Sequence, residues 1–186
     1  SAGLFTSTTI DATALTGNLP AISGASLTGI TTGKILQVVM GSSIYGHAVT
    51  SPSYVDVEQS SGVAWETAIT PSATSSKILI MFNPFLTVYQ SGAASARGTV
   101  KVLEKIGAGS YANLSAGTVA FETMVGVYDY GNDGVQNKIR PLFQYLSSPN
   151  TTDECKYKLQ FVTSGSSVGL FNDAQRGTVI LMEVGA

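Results

Sequence analysis

The sequence predicts an all-β fold: an antiparallel β-sandwich over residues 34–186, preceded by an extended segment over residues 1–33. Three observations predict it. From Lys34 onward, short runs of β-branched and aromatic residues are separated by turn residues, the pattern of a sandwich. Several runs alternate in the two-residue period of a strand, with Tyr157, Leu159 and Phe161 opposite Lys156, Lys158 and Gln160. The first 33 residues hold a single charged residue, Asp11, and 12 Ser or Thr, so a compositional boundary falls near Gly33 and Lys34.

Strands are predicted near Ile35–Met40, Tyr54–Glu58, Ala64–Ile69, Lys77–Tyr89, Gly98–Ile106, Thr118–Tyr128, Lys138–Leu146, Lys156–Thr163, Val168–Phe171 and Gly177–Val184. Pro71, Pro84 and Pro149 fall at run ends or at a bend. Residues 93–106 could place Val102, Leu103 and Ile106 on one helical face. Gly98, Thr99, Val100 and Val102 have poor helix propensity, which favours a strand there. The last run is apolar on both faces, as expected of a central strand or an interface.

Composition excludes several classes of function. The chain has 186 residues, 44% hydrophobic and 12% charged, enough for one principal domain with an extension. Its charged fraction is half the roughly 25% usual in soluble domains. A formal net charge of -2 and no dense basic cluster predict no nucleic-acid partner. The longest apolar run, "KILIMFNPFLTVY", is broken at Asn83-Pro84 and is shorter than the roughly 20 residues of a membrane helix, so no membrane insertion is expected. The opening "SAGLF" lacks the basic and apolar regions of a signal peptide, and a fragment of a longer chain is expected. A lone Cys155 permits no internal disulfide and suits folding in a reducing compartment.

No motif carries catalysis, and no cofactor or metal is expected. "GAGSYA", Gly107–Ala112, has dinucleotide-loop spacing, but "NLSAGTVAF" follows where a helix is required, so a glycine-rich hairpin loop is predicted. "DYGNDG" puts Asp129, Asp133 and Gly134 at calcium-loop positions, yet Gly131 and Arg140 stand where ligands belong, and turn chemistry explains the stretch. His47 and Cys155 sit in no nucleophile motif, and one of each makes no structural zinc site. A hydrogen-bonded or exposed His47 and a buried or half-buried Cys155 are expected. A glycosidase needs paired carboxylates, and Asp56, Glu58, Glu66 and Glu122 lie in or beside predicted strands, but Asp56 and Glu58, which share a strand face by their spacing of two, are explained as a surface-facing pair on a half-exposed sheet.

Binding remains. Tyr111 and Asn113 in one glycine-rich loop, and Tyr128, Asp129, Tyr130, Asn132 and Asp133 in another, combine aromatic area with short polar groups, a mix suited to sugars or protein surfaces. The alternative is that Tyr111 and Tyr128 close the ends of the sandwich.

Five stretches carry a resemblance spanning essentially the whole chain. "GNLPAISGASLTGI" resembles a segment that recurs in tail-fibre proteins of bacteriophages, notably those infecting marine bacteria. "GKILQVV", "TPSATSSKILI", "SPNTTDECKYKLQF" and "GTVILMEV" resemble successive strands of the domain that ends such fibres, although "CKYK" departs from the Thr- or Ser-rich form. The resemblance implies a homotrimer whose chains intertwine in a fibre shaft and end in a jelly-roll-like tip. It also implies contact with other virion tail proteins, assembly in the host cytoplasm, and a host-surface glycan or outer-membrane protein as receptor. On that footing Leu15, Leu19, Ile22, Leu27 and Ile30 become shaft contacts, each meeting its own symmetry mates about the axis. A distal tail-fibre domain for non-catalytic, multivalent host adsorption is the leading expectation. A head fibre or decoration protein, a glycan depolymerase and a bacterial adhesin are the rivals.

Overall fold

The computed structural model describes residues 34–90, 96–116, 119–120, 122–127, 136–164, 167–171 and 175–185. The shaft expectation for residues 1–33, with Leu15, Leu19, Ile22, Leu27 and Ile30, lies outside them. The described residues form strands and no helix. In chain order these are β1 (Ile35–Ser43), β2 (His47–Val49), β3 (Val55–Asp56), β4 (Glu58–Ser60), β5 (Val63–Ala64), β6 (Glu66–Ile69), β7 (Lys77–Asn83), β8 (Leu86–Gln90) and β9 (Ala96–Ile106). There follow β10 (Ala112–Asn113), β11 (Ser115–Ala116), β12 (Val119–Ala120), β13 (Glu122–Val127), β14 (Gln136–Ile139), β15 (Phe143–Ser147), β16 (Cys155–Ser164), β17 (Ser167–Phe171) and β18 (Gly177–Val184).

Many of these strands are halves of longer bent runs. One ladder has the order β1-β18-β7-β15 and another β2-β17-β8-β14, the same four runs in the same order on either side of a bend. The bend follows from sequence. Pro84 separates β7 from β8, Pro141 separates β14 from β15, and neither can donate a ladder hydrogen bond. At that level Asn83 Nδ2 donates to Pro141 O at 3.5 Å, and Arg140 lies over the Phe85 ring at 5.3 Å.

The second sheet is built on β16, which pairs along its length with β9. The other edge of β16 takes β6 and β3, and the other edge of β9 takes β13 and β10, all antiparallel. Numbered as eight runs along the chain, the first sheet has the order 1-8-3-6 and the second 2-7-4-5. This is the double Greek key of a jelly-roll β-sandwich.

Alternation fills the space between the sheets. Ile78, Ile80 and Phe82 of β7 and Val179 and Leu181 of β18 meet Tyr157, Leu159 and Phe161 of β16 and Val100 and Val102 of β9. Trp65 packs edge-on against Phe82 at 5.6 Å between ring centroids. Cys155 is part of this core; its Sγ donates to Asp153 O, and burial, with help from the Glu104 carboxylate, pushes the thiol up to about 11. Such a thiol is unreactive at neutral pH.

Strand choice over residues 96–106 and the central place of β18 agree with the sequence reading. Three short strands escaped it: β2, β10 and β11 each have two or three residues, too few for periodicity to register.

Candidate functional site

The outward face of the second sheet carries most of the charge chemistry. Opposite the core residues of β16 stand Lys156, Lys158 and Gln160, and cross-strand register brings Glu66 beside Lys158 and Asp56 beside Gln160. Asp56 accepts from both neighbours, from Lys158 Nζ at 2.7 Å and from Gln160 Nε2 at 2.8 Å. Lys158 is 9% exposed, and its ammonium also lies 4.0 Å from the centroid of the Tyr111 ring. The Tyr111 hydroxyl donates to Glu66, which also pairs with Lys156 at 3.1 Å. Hydrogen bonding and charge from Glu66, and then charge from Glu154, raise the Lys156 ammonium above its ordinary value.

Beside this network opens a cleft of about 620 Å³, lined among others by His47, Ser51, Tyr54, Asp56, Glu58 and Gln160. Each wall has a local cause. Val57 points into the core, and its backbone is tied by Val57 N to Leu159 O at 2.9 Å and by Trp65 N to Val57 O at 2.7 Å. Asp56 and Glu58, on either side of it, must therefore face outward. Glu58 N donates to His47 Nδ1 at 3.0 Å, which leaves the ring hydrogen on Nε2, 3.9 Å from Glu58 Oε1. The other Glu58 oxygen accepts from Gly62 N at 3.0 Å, in the turn between β4 and β5. Tyr54 lies under Lys101, whose Nζ is 3.9 Å from the ring centroid. On the far side, Ser51 O accepts from the Thr163 backbone and hydroxyl, tying the β2–β3 connection to β16.

Chemically, the cleft offers a tyrosine ring, an amide, hydroxyls and two carboxylates, open to solvent. Asp56 is committed to Lys158 and Gln160, an arrangement that holds a charge in place for hydrogen bonding. Among the described residues no group of three or more His, Cys, Asp or Glu could hold a metal ion. No helix among them is long and apolar enough to cross a membrane.

The candidates read from sequence are placed as follows. Tyr111 is half-buried on the charged face, held by Glu66 and Lys158, and Asn113 is exposed on β10. Tyr128, Asp129, Tyr130, Asn132 and Asp133 lie outside the described residues. "GAGSYA" forms a hairpin: Gly107 takes the left-handed φ of 53°, its N donates to Glu154 O at 2.8 Å, and β10 pairs back on β9. His47 is hydrogen-bonded and Cys155 fully buried. Tyr54 and Ser51 were not singled out from sequence. A tyrosine opening a short strand and a serine in a three-residue turn have no spacing that marks them.

Fold and cleft together define the class: a jelly-roll β-sandwich with one charged outer face and a polar cleft at its margin. No protein-family profile matches the chain. No curated protein was found to match it. Among solved structures, similarity is found to that of the infectious bursal disease virus Gt strain, at 17% identity over 89% of this chain and 40% of that one, with a TM-score of 0.37. The Gx strain of the same virus gives 16% identity, 90% and 42% coverage and 0.36. A VP2 subviral particle of that virus gives 15%, 90%, 42% and 0.35. The chain thus spans about 40% of the length of these structures. Identities and TM-scores of this size establish neither family nor function.

Proposed function

We propose that the chain is a non-enzymatic structural component of a virion, the distal domain of a tail fibre, and that its cleft takes part in recognising a host-surface glycan. The observation that carries the binding half is the cleft itself, where a tyrosine, an amide and paired carboxylates are held in place by neighbouring side chains, the polar and aromatic mix suited to sugars. The virion half is supported by the resemblance of five stretches to phage tail fibres. In a homotrimer three equivalent clefts would act together, and weak single contacts could gain avidity of roughly 10² to 10⁴.

The test is binding of the purified chain to host cells and to their extracted surface polysaccharide. Tyr54→Ala is expected to weaken binding by up to about tenfold, one aromatic contact being worth about 0.5–1.5 kcal/mol, while far-UV circular dichroism stays unchanged. Undiminished binding by this variant would remove the cleft from the mechanism. A second reading, a glycan depolymerase, draws on Asp56 and Glu58 lining one cleft. Shortened polysaccharide chains after incubation would replace the first reading with the second.

A further inference from the structure

We infer that the outer face of the first sheet is the surface on which copies of this chain associate. This stands apart from the virion reading and rests on cross-strand register. Val38, Met182, Leu79 and Leu146 are directly opposed across β1, β18, β7 and β15, and Met40, Ile180, Met81 and Gln144 form the adjacent row. Seven of these eight residues are apolar and all point away from the core. Val38 is 55% exposed, Met40 71% and Leu146 47%, and Leu36, at 45%, extends the patch along β1. Three of the chain's four methionines lie in the two rows.

Four strands about 4.8 Å apart and two rows about 6.8 Å apart give roughly 260 Å², which Leu36 brings to about 300 Å². That is at the lower end of the largest apolar patches of ordinary monomers, which are often functional, and it would form the apolar centre of an interface whose polar rim supplies the remaining area. Among the described residues β1 is moreover an edge strand of nine residues, and a long apolar edge invites aggregation.

The chemistry selects a second copy as occupant. No charged residue stands in either row, so copies can meet without opposing like charges, and flat sheet faces pack against one another about 10 Å apart. The flanking cations, Arg140, Arg176 and the exposed Lys77 in the row beside Leu79, fall short of the cluster of about four or more that marks a lipid-binding surface. Arg140 Nη1 donates to Arg176 O at 2.9 Å and Arg176 Nη1 to Ser42 Oγ at 2.9 Å, so both guanidinium groups are engaged within the protein. The central residues Ile180, Met182, Leu79 and Met81 are half-buried and have no reach into an acyl layer.

The experiment combines light scattering with peroxide oxidation of the full chain, reading sulfoxide at Met40 by peptide mapping. An oligomeric mass with Met40 oxidising at least about tenfold more slowly than in the urea-unfolded chain is expected, since oxidation follows exposure. Val38→Asp, an outward substitution, should keep the β-sheet dichroism and restore fast Met40 oxidation. It should do so even if residues 1–33 hold the copies together, which separates this interface from the shaft. A monomeric wild type overturns the inference, whether Met40 is then open, covered by the chain itself, or buried on phosphatidylserine vesicles. An oligomer with fast Met40 oxidation, or a folded Val38→Asp chain with full protection, overturns it equally.

Discussion

Glu183 is 1% exposed and lies at the sandwich margin near the end of β18. Burial alone would push its carboxyl up. Hydrogen bonds from Ser72 N at 2.7 Å, Ser72 Oγ at 2.6 Å and Gln37 Nε2 at 2.8 Å outweigh it and hold the group at about 2. Because folding lowers this carboxyl from its usual 4.5, its stabilisation is complete above about pH 4.5 and is lost as pH falls from there toward 2. Replacing Glu183 by Gln is expected to cost about 1.5–3 kcal/mol at pH 7, the range for hydrogen bonds to a charged group. In urea titrations the variant should show a smaller loss of stability between pH 4.5 and 2; an acid limb identical to wild type would assign that limb to other carboxylates. Nothing in the sequence marks Glu183. In "GTVILMEV" it reads as the polar end of an apolar strand, and its partners lie 111 and 146 positions away.

At the scale of elements, alternation made β16 and the outward Lys156, Lys158 and Gln160 legible, because a strand with one face in the core reports its orientation at every second residue. The glycine-rich turn after β9 was legible for the same kind of local reason. Gly98 was not. It sits in β9 where a Cβ would run into the Phe161 ring on the adjacent strand, a close approach visible only once the register of β9 and β16 is known. Gly98→Ala is therefore expected to destabilise by roughly 1–3 kcal/mol, the usual cost of overpacking. A thermal midpoint at or above wild type would show that the ring moves aside freely. The bend in the first sheet was half legible. Pro84 announces it within one run, but that Pro141 bends a partner run at the same level depends on pairing between segments far apart in sequence.

Across the whole molecule the two outer faces differ in kind, one carrying Asp56, Glu66, Lys156 and Lys158 and the other rows of Val, Leu, Ile and Met. Association through the apolar face should therefore strengthen in ammonium sulfate, which favours burial of apolar surface, and should change little between low and moderate sodium chloride, which screens charges. Sedimentation equilibrium measures both, and dissociation by sodium chloride would show that ion pairs govern assembly. The sequence by itself determined the all-β class, most of the strands, the inward and outward sides of the alternating ones, and the hairpin at the glycine-rich loop. These properties are local, set by residue type and a two-residue period. Tertiary structure alone decided the jelly-roll strand order, the joining of Tyr54, Asp56, Glu58 and Gln160 at one cleft, the capture of Tyr111 by Glu66 and Lys158, and the alignment of single apolar residues into a continuous face. Each of these depends on register between distant segments, and a one-residue slip in pairing would turn the same side chains to the opposite face.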